Sequence, residues 1–180
     1  MQVVEPIRDI KKIEQIKIQL KNNSERNYVL FELGINTGLR ISDILKLRVK
    51  DVKNNKYILL IEQKTQKHRK ILITKSIRKI LNNYTKKMKS TDYLFRSEKS
   101  ENPISRIQAY RIIRTACDSL KIRHIGTHSL RKTFGYHFYQ KTKDVALLQC
   151  ILNHSSPDVT LRYIGVTQDI IDKSLTKFCL

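Results

Sequence analysis

Leu152-Asn153-His154-Ser155-Ser156-Pro157-Asp158-Val159-Thr160-Leu161-Arg162-Tyr163 closes one helix and opens the next. Asp144 is a fitting N-cap for a helix that runs through Leu152. Pro157, with Ser156 before it and Asp158 after it, suits the first turn of another helix. His154 therefore falls at a helix end, and Tyr163 falls inside the following helix. Upstream, His128-Ser129-Leu130-Arg131-Lys132-Thr133-Phe134 opens a helix predicted over 130–138. His128 and Arg131 lie one turn apart on the same face of it.

Further out, isoleucines at 7, 10, 13 and 16 and Leu20 outline an amphipathic first helix that ends at Asn22-Asn23. Ser24 predicts the N-cap of a second helix with Tyr28, Phe31 and Ile35 on one side. Thr37-Gly38 should turn the chain, after which Ser42 is the expected cap of a short helix with Ile44, Leu45 and Leu47. The pattern then changes to β-leaning runs over 57–61 and 71–74, with a polar, basic hairpin segment at 62–70 between them. Helical periodicity returns at 77–84 and 104–120, and a last helix is expected over 168–178. The fold class is mainly α with a small antiparallel β-sheet, an α+β arrangement.

The chain has 180 residues, 40% of them hydrophobic, which is enough for one domain with a real core and argues against intrinsic disorder. No apolar run has the length of a membrane span, and the first residues lack the uncharged stretch of a signal peptide, so a cytoplasmic protein is expected. Cys117, Cys150 and Cys179 fit neither a disulfide framework nor a zinc site; Cys117 and Cys150 read as small core residues within helices. Lysine and arginine number 36 against 16 acidic residues, a net charge of +20. Such a surplus repels itself, and a polyanionic partner is the physical reason to carry it. Because the basic residues are spread along the chain and not gathered in a tail, a folded surface lying on a nucleic-acid backbone is the expected form of contact.

Breaking a phosphodiester without a metal needs a nucleophile, cations on the non-bridging oxygens and an acid for the departing oxygen. Arginine suits the second task through its planar fork, and lysine or histidine suits the third. The sequence offers such residues in order: Arg40 after the Thr37-Gly38 turn, Lys64 in the hairpin, His128 and Arg131, His154, and Tyr163. No carboxylate cluster for Mg²⁺ and no glycine-rich phosphate loop is visible, and no cofactor or metal is expected. Taken singly, each of the six has an ordinary structural explanation; the order and setting of the set carry the reading.

Thr-Gly-Leu-Arg-Ile-Ser-Asp from Thr37, the hairpin lysine, His-Ser-Leu-Arg-Lys-Thr-Phe from His128 and the stretch from Leu152 to Tyr163 together resemble the tyrosine recombinase (phage integrase) family. The resemblance extends over nearly the whole chain, as a catalytic domain spanning 1–180. It implies that Tyr163 is the nucleophile, forming a 3′-phosphotyrosyl bond and freeing a 5′-hydroxyl. It implies that Arg40 and Arg131 clamp the scissile phosphate with His154 donating to it. Lys64 then resembles the general acid, and His128 the acid/base partner of the nucleophile. Double-stranded DNA is the implied partner, with a homotetramer assembling on it for strand exchange. Asp43 is read as a carboxylate that orients an arginine. Lys132 and Arg162 stand either against neighbouring phosphates or in solvent, and His124 and His137 read as structural or surface residues. The last helix resembles a segment that relatives dock onto a neighbouring protomer.

Full-length relatives carry an additional N-terminal helical domain, whereas the 39 residues before Arg40 read as opening helices of the catalytic domain, as in either an excised piece or a natural stand-alone form. Without that domain, weaker and less selective DNA binding is expected. Two other functions share features with it. A type IB topoisomerase uses the same nucleophile chemistry without exchanging partners, and a DNA-binding accessory or regulatory protein keeps the fold without the chemistry.

Overall fold

The computed structural model describes residues 4–166, 175, 176 and 178. The helix expected over 168–178 thus lies outside the described residues but for three positions, as does Cys179. In order, the elements are α1 (Ile10–Asn23), α2 (Glu25–Thr37), α3 (Ile41–Leu45), α4 (Val49–Val52), β1 (Tyr57–Ile61), β2 (His68–Leu72), α5 (Lys75–Tyr84), α6 (Arg106–Asp118), α7 (Thr127–Thr142), α8 (Val145–Leu152) and α9 (Pro157–Ile164). The α+β class expected from the sequence is the one found.

Local chemistry sets most of the boundaries. The Ser24 hydroxyl accepts from the Asn27 amide at the start of α2, and the Asp144 carboxylate accepts from Leu147 at 2.8 Å at the start of α8. Ser156 caps α9 ahead of Pro157. The first helix departs from expectation. Ile13, Ile16 and Leu20 are buried, but Ile10 is 63% exposed and Ile7 lies before the helix. Residues three apart drift about 60° around a helix at each step, so four isoleucines at that spacing cannot share one narrow face. Ile7 is buried instead in an extended lead-in strapped to α7, where its N–H donates to Thr133 Oγ1 at 2.8 Å and its carbonyl meets His137 Nε2 at 2.9 Å.

Helix α2 is the hub, with Val29, Leu30, Phe31 and Leu33 all buried and α1, α5 and α7 packed around it. It stops at Gly38, whose φ of +64° is the left-handed region; a Cβ there would also stand 2.6 Å from the Phe134 ring. The chain leaves this turn directly into α3, so Arg40 occupies the N-cap position and Ser42, the expected cap, lies inside the helix. Burial of Leu39 and Ile41 draws the helix start two residues earlier than Ser42 would set it.

β1 and β2 pair antiparallel with Tyr57 opposite Leu72 and Ile61 opposite His68. β2 begins at His68, ahead of the expected Ile71, because ladder hydrogen bonds are made by backbone and tolerate His68, Arg69 and Lys70. The connection is therefore shortened to 62–67. Leu148, Leu152 and Ile164 form a small separate core, with Phe134, Phe138 and Tyr163 against it. Cys117 is buried as expected, whereas Cys150 is exposed. The buried stripe of α8 runs through Leu148 and Leu152, and Cys150 stands about 200° around the helix from Leu148. Among the described residues no helix is long and apolar enough to cross a membrane.

Candidate active site

Four separate segments deliver the six candidate residues to one place. The Gly38 turn presents Arg40, the β1–β2 loop presents Lys64, the first turns of α7 present His128 and Arg131, and α8–α9 present His154 and Tyr163. Arg131 is 3% exposed and donates through Nη1 to the Gly38 carbonyl at 2.7 Å and through Nη2 to the Leu152 carbonyl. These bonds use two of the five guanidinium donors. They also tie the turn before Arg40 to the helix end before His154. α9 can lie close to α7 because Gly135 has no side chain: a Cβ there would be 2.7 Å from Ile164 Cγ2, the residue next to Tyr163.

A residue passed over in the sequence lies at the centre. Glu62, the first residue after β1, is fully buried. Its Oε2 pairs with Arg40 Nη1 at 2.8 Å, accepts from Thr65 Oγ1 at 2.5 Å and from Asn153 Nδ2 at 3.4 Å. Its Oε1 faces Arg69 Nε at 3.9 Å and Arg131 Nη1 at 4.0 Å. Burial alone would raise the Glu62 carboxyl, but the Thr65 hydroxyl and the Arg40 charge outweigh it and hold the pKa below the usual carboxylate value. Arg69 also donates to the Ile151 carbonyl, pinning β2 to α8. The signal available in the sequence was a lone acidic residue flanked by an apolar strand and a run of cations. Asp43 proves to act differently from the expected arginine partner: its Oδ1 accepts from the Gln63 backbone N–H at 3.0 Å and so fixes the root of the hairpin loop.

The charges of Arg40 and Arg131 act on both histidines and on the tyrosine. Burial, followed by the charges of Arg131, Lys64, Arg40 and Lys132, lowers the pKa of His128, so its imidazole is neutral at neutral pH. Lys64, exposed on its loop, is thus near enough to be felt at His128. His154 is driven further, to about 4, by burial and then by Arg131 and Arg40, with Glu62 opposing. Its Nδ1 is 3.1 Å from Thr160 Oγ1, which donates its own proton to the Ser156 carbonyl at 3.1 Å. The Tyr163 ring meets His154 edge-on at 5.0 Å, and Lys132 Nζ lies 5.2 Å from its centre. The Tyr163 hydroxyl is buried without an aligned hydrogen-bond partner. Burial raises its pKa, while Arg131 and Arg40 pull it down.

Of the weaker expectations, His137 is structural through Ile7, His124 and Arg162 are exposed, and Lys132 lies against Tyr163. Among the described residues no group of His, Cys, Asp and Glu could hold a metal ion.

A model of the phage integrase family matches residues 8–169, a span that contains all six candidates. The chain belongs to the phage integrase family. Within it, the probable integrase/recombinase YoeC of Bacillus subtilis (strain 168) is 56% identical over 169 residues, covering 94% of this chain and 93% of that protein. The tyrosine recombinase XerH of Campylobacter jejuni is 32% identical over 154 residues. That match covers 83% of this chain but 44% of XerH, so this integrase-family chain spans less than half the length of that relative. Among solved structures, XerA recombinase superposes with a TM-score of 0.77 at 22% identity, over 96% of this chain and 63% of that one. The Tn1549 transposon integrase in complex with transposon right end DNA gives 0.74 at 20% identity, over 96% and 65%. The tyrosine recombinase fold expected from the sequence is the fold found.

Proposed function

We propose that this chain is the catalytic domain of a site-specific DNA recombinase in which Tyr163 cleaves one strand. The observation that carries the reading is the Tyr163 hydroxyl, which is buried without an aligned hydrogen-bond partner yet lies within the fields of Arg131 and Arg40. A scissile phosphate between the two arginines completes the arrangement. Tyr163 Oη bonds to phosphorus as the bond from phosphorus to the 5′-oxygen breaks. The tyrosyl proton passes to neutral His128, and the departing 5′-oxygen takes a proton from Lys64. The 3′-phosphotyrosyl link retains the bond energy, and attack by a 5′-hydroxyl from another strand reverses the step and rejoins DNA.

The shape of the surface supports a duplex substrate. A concavity of about 660 Å³ lies between β2 and α7–α8, and none of the six candidate residues lines it. The six instead adjoin the exposed basic loop carrying Lys64 and Lys67 on a chain of net charge +20. Four copies on two duplexes are the proposed exchanging assembly.

The test uses nicked duplexes tiled over DNA flanking the gene that encodes this chain, run on denaturing gels. A covalent protein–DNA adduct with wild type that disappears in Tyr163→Phe supports the reading. Binding with no adduct on any flank transfers the case to an accessory DNA-binding protein. Relaxation of supercoils without exchange of partners would point to a topoisomerase.

A further inference from the structure

We infer that Glu62 is a positioning residue that sets Arg40 and Arg131 to clamp one phosphate and locks the loop of Lys64 to them. The inference rests on the recombinase reading and adds a group to it that touches no substrate.

The argument starts from burial. A fully buried carboxylate is tolerated only where cations and donors replace its water. Here the replacements come from every segment that builds the site. Arg40 comes from the Gly38 turn, Arg69 from β2, Arg131 from α7, Asn153 from the end of α8 and Thr65 from the hairpin loop itself. Two arginines with one charge to share would otherwise repel and turn apart before any phosphate arrived. With Glu62 beneath them, one face of each guanidinium is occupied and the remaining donors are left for the substrate. Because Thr65 is next to Lys64, the same carboxylate fixes the loop that brings the proposed general acid. The second carboxylate nearby, Asp43, holds the Gln63 amide and so secures the other end of that loop.

A purely structural ion pair would share this geometry, and the two roles part on substrate charge. Arginines aligned by Glu62 act on the negative charge of the non-bridging oxygens. A methylphosphonate linkage is neutral and has far less for them to stabilise. Loss of alignment must therefore slow phosphodiester cleavage selectively, whereas general loosening of the fold slows both.

The experiment uses nicked duplexes whose single scissile linkage is either phosphodiester or methylphosphonate, placed at the position where wild type forms its adduct, and reads the single-turnover rate of strand release. Glu62→Gln is expected to cleave the phosphodiester about 100-fold more slowly and the methylphosphonate less than about five-fold more slowly. Glu62→Asp keeps the charge but shortens its reach; it carries the same comparison should the Gln variant not fold, with about a ten-fold selective loss. Equal losses on both linkages, or no loss on the phosphodiester, overturn the inference while leaving the recombinase reading intact. A wild-type protein that cleaves neither linkage overturns the recombinase reading itself, and the role of Glu62 with it.

Discussion

Arg131 donates to the Gly38 carbonyl at 2.7 Å across 93 positions of sequence. The contact joins the helix that carries one proposed phosphate ligand to the turn that presents the other, Arg40. The Arg131 guanidinium is thus anchored to the backbone beside Arg40, while Glu62 holds the Arg40 head.

Arg131→Lys is accordingly expected to weaken both fold and activity. An ammonium cannot reach the Gly38 and Leu152 carbonyls together, and a buried carbonyl left without its partner costs about 1–3 kcal/mol. Loss of the forked contact to phosphate should lower adduct formation by about 10²–10³-fold. Chemical denaturation and single-turnover cleavage read the two effects separately, and a fully active lysine variant would refute the clamp.

Tyr163→Phe separates chemistry from stability in the opposite sense. The hydroxyl is buried without an aligned hydrogen bond and feels Arg131 only as a weak partner, so its removal costs the fold little. Stability should stay unchanged or rise by on the order of 1 kcal/mol while adduct formation is abolished. A marked fall in the denaturation midpoint would refute this.

The pH dependence of stability follows from His154. Its pKa is about 4 in the fold against an ordinary value of 6.5, so in this window the unfolded chain binds the proton that the folded chain refuses. The contribution is fully present above about pH 6.5 and is lost as pH falls toward about 4. His128 adds in the same direction, and Glu62, depressed below the usual carboxylate range, adds to the loss at the acid end. Unfolding free energy measured across pH should therefore have a flatter acid limb in His154→Gln than in wild type. An unchanged slope would exclude His154 as a source.

Gly135→Ala tests the seating of Tyr163, the proposed nucleophile. The new methyl would meet Ile164 Cγ2 at 2.7 Å and push α9 from α7. A stability loss of about 1–3 kcal/mol is expected, with slower cleavage and nearly unchanged affinity for a duplex, since no basic residue is removed. Equal loss of affinity and cleavage would argue against a role confined to Tyr163.

Much of the fold was legible because the relevant chemistry is local. Ser24, Asp144 and Ser156 satisfy amides within a few residues of themselves, and Pro157 restricts only its own turn. Errors arose where packing overruled such signals. Ser42 yielded the cap position to Arg40 because Leu39 and Ile41 had to be buried, and Cys150 faced outward because Leu148 and Leu152 took the core side of α8.

Most of the helices, the β-hairpin, the basic character and the order of Arg40, Lys64, His128, Arg131, His154 and Tyr163 are written in residue type and spacing. The groups that sustain those six emerge from the folded chain. Glu62 falls in a segment that reads along the chain as polar and basic, yet it is fully buried among Arg40, Arg69 and Arg131. The neutral state of His154 likewise depends on burial and on arginines far away in sequence. The burial of a lone charged side chain and the field of distant charges act through space, and neither has a period or a motif by which a linear sequence could announce it.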